Sequence, residues 1–219
     1  MNKNYYMIFA VTLAGLALPG SACALDLAVG AHGGTMGNGF EAALGLNSFV
    51  GLRAGVNSSD YEYDIDIEDE EGLEYQNPKF DFDNQYLMLD IFPLAGKFHL
   101  TAGYFKNNNS ITTSGRVNNS EITIGGQHPA IDTEVTAMIS FEDGGYAGFG
   151  FGSATDDGLI NFALDIGVVM QGSPQVDIDV SDDSINEADI NQEEAELEEE
   201  NKDLEMWPLV NLSLSIHFF

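Results

Sequence analysis

The chain ends in a segment in which apolar and polar side chains alternate at every second position. In 210–219, apolar residues alternate with Asn211, Ser213, Ser215 and His217. The apolar residues are Val210, Leu212, Leu214, Ile216 and Phe218. Because successive side chains of a β-strand point to opposite faces, this pattern predicts a strand with one apolar and one polar face. Such a strand with aromatic residues at its end is typical of the closing strand of a transmembrane β-barrel.

The same period of two predicts seven further strands. They lie at 25–32, 40–46, 49–63, 80–92, 98–107, within 135–152, and at 159–170. In the sixth segment 133–141 also alternates, and Gly144 and Gly145 interrupt the pattern; one long strand bent at a glycine bulge is one interpretation of it. These segments predict an all-β chain that forms an eight-stranded antiparallel up-and-down transmembrane β-barrel.

The predicted connections alternate between short and long. Short ones lie at 47–48, 93–97 and 154–158, and longer ones at 33–39, 64–77, 107–133 and 171–205. Outer-membrane barrels have short periplasmic turns and long extracellular loops. An even number of strands returns both termini to the same side, so both are expected in the periplasm. The last extracellular loop predicts one exposed helix, because Ser184 and Glu187 have capping-box spacing and 185–203 contains neither proline nor glycine.

The amino-terminal segment, 1–24, has the features of a secretory signal peptide. Lys3 precedes an apolar stretch, and Cys23 stands between two alanines that fit the specificity positions of a cleavage site. Cleavage after Ala24 leaves one barrel domain, 25–219, without cysteine. Lipid attachment at Cys23 is the alternative, but Gly20 occupies a position where such sites normally have a branched apolar residue.

The composition is strongly acidic, with 36 Asp and Glu against 7 Lys and Arg and a net charge of −29. Such a charge argues against nucleic acid as a partner. The acidic residues concentrate in 60–74 and 177–205, whereas the segments between them are nearly neutral. This contrast indicates solvated loops on a membrane-embedded frame.

The first acidic loop contains candidate ligands for Ca²⁺ or Mg²⁺, which prefer carboxylate oxygens. The candidates are Asp64, Asp66, Glu68 and Glu70. Asp69 stands where a helix-loop-helix calcium site needs glycine, so diffuse binding is favoured over one specific site. We expect no resident cofactor. Loosely bound divalent cations would bridge the acidic loops to lipopolysaccharide phosphates.

A second group of ionisable residues falls on the predicted inward faces. The predicted lumenal polar network is Asp26, Glu41, Arg53, Asp90, His99 and Asp165, with His32 and His217 on the same faces. The interior of an eight-stranded barrel is only wide enough for side chains to fill it. We therefore expect an ion pair between Arg53 and Asp90, which lie on consecutive predicted strands. The alternative interpretation is a proton relay or a narrow cation-preferring channel for small solutes.

Several segments resemble a group of small, mostly uncharacterised proteobacterial outer-membrane barrels. They are 51–57 (Gly-Leu-Arg-Ala-Gly-Val-Asn), 89–93, 100–104, 165–168, 171–174 and the closing strand. These proteins resemble the OmpA and OmpX type of eight-stranded barrel in size and layout. The resemblance implies no catalytic motif.

The resemblance also implies insertion by the barrel-assembly machinery, which recognises the last strand. The assembly signal would comprise Leu212, Leu214, Ile216, Phe218 and Phe219. Family members usually end at the aromatic residue that matches Phe218 and have another aromatic residue two positions earlier. This chain has Ile216 at that earlier position and an additional Phe219.

Two other classes of protein are less favoured. A lipid A-modifying enzyme needs a histidine beside a serine, whereas His217, the histidine nearest a serine, lies at the predicted periplasmic end. A soluble lipocalin-like barrel has eight strands too, but the terminal aromatic residues and the alternating connections favour the membrane barrel. The sequence thus predicts a monomer in the cell outer membrane, in contact with its lipids and lipopolysaccharide, with a structural or surface-binding role and no enzymatic activity.

Overall fold

The structure is a computed structural model that describes residues 26–62, 73–75, 78–117, 123–124, 126–182 and 184–218. The predicted signal peptide, 1–24, lies outside the described residues.

The described residues form strands and one α-helix in the following order. They are β1 (Asp26–Gly34), β2 (Gly37–Asn47), β3 (Val50–Glu62), β4 (Leu73–Tyr75), β5 (Lys79–Ile91), β6 (Phe98–Asn107), β7 (Ser110–Val117), β8 (Glu134–Ser140), β9 (Gly144–Gly152), β10 (Ile160–Met170), β11 (Gln175–Val180), α1 (Glu187–Glu200) and β12 (Met206–His217). A short 3₁₀ helix, Lys202–Glu205, joins α1 to β12.

Eight of these strands close into an antiparallel barrel. The ring runs β1-β2-β3-β5-β6-β9-β10-β12, and β12 returns to β1 with Ile216 opposite Val29. Each strand of the ring therefore pairs on both sides, which satisfies the backbone of a wall that has no access to water. The predicted fold class is confirmed.

The outer face of the wall is apolar on all eight strands. Examples at outward positions are Val29, Phe40, Val56, Leu87, Leu100, Phe149, Phe162 and Leu212, each at least 40% exposed. In water such a continuous apolar belt would be unfavourable, but in a bilayer it is the expected surface of a transmembrane barrel. The predicted outward faces of the closing strand and of the earlier barrel strands agree with this belt.

The first predicted loop, 33–39, is instead a two-residue hairpin. β1 continues to Gly34 and β2 begins at Gly37, so only Thr35 and Met36 form the turn. The glycine-rich sequence reflects close packing of strands: a Cβ on Gly39 would lie 1.9 Å from the carbonyl oxygen of Val56. The expectation of a long connection here was wrong.

The segment predicted to hold the sixth strand contains two separate strands, β8 and β9, so the interpretation as one long bent strand was wrong. β9 belongs to the barrel, whereas β8 pairs with β7 and β11 beyond the end of the wall. We call β4, β7, β8 and β11 the upper sheet. It joins the barrel through β5, whose residues 79–81 pair with β7 while residues 84–91 pair with β6.

The single α-helix of the described residues confirms the predicted exposed helix, but with a different start. Asn186 is the N-cap, and its side chain accepts a hydrogen bond from the Ala188 amide at 3.2 Å. Ser184 therefore does not cap the helix, because the chain enters the helical conformation two residues later. No helix in the described part of the chain is long and apolar enough to cross a membrane.

Candidate functional site

Arg53 lies in the barrel lumen and is only 5% exposed. Its Nε and Nη2 atoms donate hydrogen bonds to the two oxygens of Asp90 at 2.6 and 3.0 Å. Its Nη1 and Nη2 atoms donate to the two oxygens of Asp165 at 2.9 and 2.7 Å. The guanidinium thus makes two bidentate pairs, the arrangement that its planar geometry favours.

Two further side chains hold these carboxylates in place. His99 Nε2 lies 2.9 Å from Asp165 Oδ1, and the Thr101 hydroxyl donates to Asp90 Oδ1 at 2.7 Å. A buried ion pair lowers the free energy only when hydrogen bonds satisfy its remaining atoms. The lumen supplies those bonds from β6, the strand that lies between β5 and β9 and carries both His99 and Thr101.

Glu41 extends this group towards the upper sheet. Its Oε2 atom lies 3.7 Å from Arg53 Nη1 and accepts a hydrogen bond from the Tyr86 hydroxyl at 2.9 Å. The Tyr86 oxygen also lies 3.4 Å from His32 Nδ1. We call Glu41, Arg53, Asp90, His99 and Asp165 the charge cluster.

A line of amides continues from His32 towards the end of the barrel that carries the upper sheet. Asn57 bonds to His32 Nε2 through its oxygen and donates its amide to Asn84 Oδ1 at 2.7 Å. Asn84 in turn donates to Asn109 Oδ1 at 3.1 Å and to the Met36 carbonyl at 3.3 Å. The lumen is therefore connected by side-chain hydrogen bonds from the charge cluster to the first hairpin.

Glycines in the wall make room for the large lumenal rings. A Cβ on Gly55 would lie 2.3 Å from Tyr86 Cζ, and a Cβ on Gly148 would lie 2.2 Å from the Tyr146 hydroxyl oxygen. The ring of Tyr86 thus packs against the backbone of Gly55, and the ring of Tyr146 packs against that of Gly148. Without these glycines the rings and the charge cluster would not fit in one narrow barrel.

The end of the barrel opposite the upper sheet is closed by small apolar side chains. Ala154, in the turn between β9 and β10, packs inside the barrel against Ala28 and Ala43. Phe92 is buried beside them, with its ring 5.3 Å from that of His99. We call this group the lower seal.

Above the charge cluster lies a larger apolar group, which we call the upper seal. It consists of Met36, Tyr86, Met88, Phe105, Tyr146, Val169 and Leu209, with Trp207 packed against it. The rings of Tyr86 and Phe105 are stacked at 5.3 Å. Two lumenal cavities of about 10 Å³ each lie among the described residues of the charge cluster and the upper seal. Such a volume holds about one water molecule.

The structure gathers most of the predicted lumenal network but not all of it. Glu41, Arg53, Asp90, His99 and Asp165 come together, whereas Asp26 pairs with His217 at 3.5 Å near the chain ends. Asp26 also lies on the inward face, but it is the first residue of β1 and therefore lies at the end of the barrel, away from the charge cluster.

The other predicted site residues have different positions. Leu212, Leu214, Ile216 and Phe218 are exposed on the outer face at the barrel closure, and Phe219 lies outside the described residues. The candidate metal ligands Asp64, Asp66, Glu68 and Glu70 also lie outside the described residues. Within the described part of the chain, no three His, Cys, Asp or Glu residues are placed to hold a metal ion.

Sequence reasoning missed several lumenal residues, among them Asn57, Asn84, Tyr86 and Thr101. All four lie at inward positions of predicted strands, so the period of two contained the signal that would have found them. None of the four side chains is charged at neutral pH, so charge alone does not distinguish them.

The upper sheet has one apolar and one polar face. The register places Ile139 opposite Ile111 and Val176, and Ala137 opposite Thr113 and Ile178. The other face carries Thr112, Ser114, Thr136, Met138, Asp177 and Asp179. α1 lies over the apolar face, but none of its residues is buried, so it covers this face only in part.

α1 is attached to the edge of the upper sheet by two glutamates. Glu198 Oε1 accepts a hydrogen bond from the Val176 amide at 3.1 Å, and Glu194 Oε1 accepts from the Ile178 amide at 2.9 Å. The two glutamates are four residues apart and so lie on one face of the helix. Amides two apart on β11 point to the same side, which matches that spacing.

A carboxylate also joins two loops beside the upper sheet. Asp182 accepts hydrogen bonds from the Ala130 amide and the Ser184 amide, each at 2.9 Å. The Ala130 bond and the Ser184 contacts hold the pKa of Asp182 below its usual value, because they stabilise the charged form.

Comparisons with known proteins extend only to the fold. No protein-family model matches the sequence, and a search of curated proteins finds no match. The fold is similar to the crystal structure of Acinetobacter baumannii CarO2, with a TM-score of 0.61 and 20% identity over 89% of this chain and 99% of that chain. A. baumannii CarO gives the same TM-score and identity over 90% of this chain and all of that chain.

A major outer membrane protein from Thermus thermophilus also matches, but with a TM-score of only 0.43. At such identities the CarO structures support the small β-barrel fold. They do not specifically support an assignment to the OmpA and OmpX type.

Replacement of Arg53 by methionine tests the charge cluster. Three buried carboxylates would lose their common partner, so we expect the free energy of unfolding to fall by about 3–5 kcal/mol. Urea unfolding of the refolded protein, followed by fluorescence of the single tryptophan, measures the change.

Lys97→Met is the matched control, because Lys97 forms an exposed pair with Asp156 at 3.8 Å. Its effect should stay below about 1 kcal/mol. Adding Asp90→Asn and Asp165→Asn to Arg53→Met should restore part of the lost free energy of unfolding, because the two unpaired charges are removed. An Arg53→Met protein as stable as the parent would contradict a structural role for the cluster.

The lowered pKa of Asp182 predicts a pH dependence of the loop contact. The contact is fully present above the ordinary Asp pKa, about 3.9, and is lost as the pH falls through the lower folded value. NMR titration of the Ala130 and Ser184 amide protons should give one midpoint below the ordinary value. Asp182→Asn should remove this titration, whereas Asp177→Asn should leave its midpoint unchanged; a midpoint at the ordinary value would refute the prediction.

Proposed function

We propose that the protein is an outer-membrane barrel whose role is to present a binding surface rather than to conduct solutes. The apolar belt would lie in the outer membrane, with the lower seal towards the periplasm and the upper sheet outside the cell. The outward apolar faces, the predicted signal peptide at 1–24 and the small-barrel fold support this placement.

The observation that carries the proposal is the filled lumen. The lower seal, the charge cluster and the upper seal follow one another along the barrel axis, and the cavities among them hold about one water each. A hydrated ion needs a continuous water-filled path, so this interior favours a surface role over the narrow cation channel.

The elements beyond the wall supply the surface. The upper sheet continues from β5 of the barrel, and two carboxylate contacts hold α1 against its edge. The strand pairing and these two hydrogen bonds join the sheet and the helix into one layer that offers a defined surface. The proposal assigns no catalytic step to the protein.

We further propose lipids and lipopolysaccharide of the outer membrane as the partners around the wall, with Ca²⁺ or Mg²⁺ bound loosely by acidic side chains. The exposed face of α1 and the segment 64–70 carry the carboxylates for this. Insertion by the barrel-assembly machinery through the last strand, and a monomeric state, complete the proposal.

Conductance in a planar bilayer tests the filled lumen. The refolded protein should give no steady openings, because no lumenal path among the described residues admits hydrated ions. Steady cation-selective currents from the wild-type protein would refute the surface role as the primary one.

A double variant provides the control for insertion. Phe105→Ala with Tyr146→Ala removes the two largest fully buried side chains of the described residues and should produce a leak. Heat-dependent mobility on gels shows whether each protein is folded. A silent wild type beside a leaking variant would show that silence is due to the filled lumen and not to failed insertion.

Calcium titration calorimetry tests the divalent-cation proposal. Binding should be weak, with a Kd of about 10⁻⁴ to 10⁻³ M. Substitution of Asp64, Asp66, Glu68 and Glu70 by the corresponding amides should reduce the number of bound ions without abolishing binding. The matched control replaces Glu187, Glu196, Glu199 and Glu200 of α1 with glutamine. Similar reductions would agree with diffuse binding, whereas complete loss in the first variant alone would indicate one specific site.

A further inference from the structure

A cavity of about 400 Å³ lies between α1 and the apolar face of the upper sheet. This volume is in the range of small-molecule sites, which is about 300–1,000 Å³. It is far larger than the two lumenal cavities of about 10 Å³ each. It also lies outside the barrel wall, where a solute reaches it without crossing the lumen.

The floor of this cavity is aliphatic. Val135, Ala137 and Ile139 of β8 and Val176 and Ile178 of β11 line it, all from the same face of the sheet. These positions follow from the period of two in each strand. A solute that replaces water on this floor would gain about 25 cal/mol for each Å² of apolar surface that it buries.

The helix side of the cavity is mostly polar. Glu193, Leu197 and Asn201 line it at intervals of four residues, so only one aliphatic side chain of α1 faces the floor. Glu194 and Glu198 hold the helix at the edge of β11 rather than over the middle of the sheet. The gap between helix and sheet is therefore a consequence of how α1 is attached.

The charge around the cavity restricts its ligand. Glu193 contributes a carboxylate at the wall, and α1 is acidic along its whole length, with no basic residue in its last turn. A carboxylate beside an aliphatic floor attracts a cation and disfavours an anion of the same shape. Thr113, on the same sheet face as the floor, and Thr123 also line the cavity, and each carries a hydroxyl group.

We propose that this cavity binds a small amphipathic cation, with its apolar body on the β8 and β11 side chains and its ammonium group towards Glu193. The proposal rests on the surface-binding role and specifies the class of ligand for it. The charge cluster has no part in this site, because the lower and upper seals separate it from the exterior.

The test uses three probes that share one apolar body: 4-phenylbutylamine, 4-phenylbutanol and 4-phenylbutyrate. Binding to the full mature protein in nanodiscs is followed by NMR of isoleucine methyl groups. The amine should shift the methyl signals of Ile139 and Ile178 in a saturable manner. The alcohol should bind at least about fivefold more weakly, and the carboxylate more weakly still.

Substitutions locate the site. Ala137→Phe fills the cavity from the floor and should weaken amine binding at least about tenfold, a change of about 1.4 kcal/mol. Met138→Phe, one residue along on the other face of β8, is the matched control and should leave the affinity unchanged. Leu197→Phe fills the cavity from the helix and provides a second test if Ala137→Phe does not fold.

The charge is tested separately. Glu193→Gln should weaken amine binding about fivefold and leave the alcohol unaffected, whereas Glu200→Gln, on the exposed side of α1, should change neither. Equal binding of amine and alcohol would overturn the cationic part. Absence of saturable shifts, or shifts only at lipid-facing Ile91, Ile160 and Ile166, would overturn the site. A silent bilayer with no amine binding would refute this inference alone, whereas a conducting wild type would refute the proposed function.

Discussion

The closure of the ring through β1 and β12 is the constraint on which the rest of the structure depends. Because eight strands give a lumen only as wide as its side chains, every inward residue must be packed or hydrogen-bonded to another. Arg53 satisfies two carboxylates at once, and the glycines of the wall admit the rings that complete the filling. The polarity of the lumen and its lack of space thus have one common cause.

The same closure separates the molecule into two environments that obey different rules. Within the lumen, the compact charge cluster around Arg53 is stabilised by hydrogen bonds that replace water. Beyond the wall, acidic side chains hold α1 and the loops through hydrogen bonds from backbone amides, two to Glu194 and Glu198 and two to Asp182. The buried charge therefore lies in the barrel lumen, and the exposed acidic side chains lie in the layer above it.

The barrel could be predicted from the sequence because its outer face is apolar and its inner face lines a polar lumen. Each barrel strand therefore alternates between apolar and polar side chains. The closing strand, the outward faces and the pairing of Arg53 with Asp90 all follow from that period. The first hairpin did not follow, because glycines at Gly37 and Gly39 suggest a loop whereas they serve close strand packing.

The upper sheet could not be predicted in the same way. β7 and β11 are short and lie in segments rich in Ser, Thr and Asp, where local propensity is weak. Their pairing with β8 depends on contacts distant in sequence, and on β5 extending beyond its barrel partner β6. The cavity between α1 and this sheet could not be predicted either, because it forms only once these strands pair.

The attachment of α1 to β11 has a consequence for the outer edge of the upper sheet. An uncovered strand edge is a template on which a neighbouring chain can add its own strand and begin an aggregate. Glu194 and Glu198 accept hydrogen bonds from two backbone amides that an added strand would need as donors. Their negative charge also repels the same acidic edge of a second copy. The acidic side chains that attach the helix thus also disfavour the addition of a second chain at this edge.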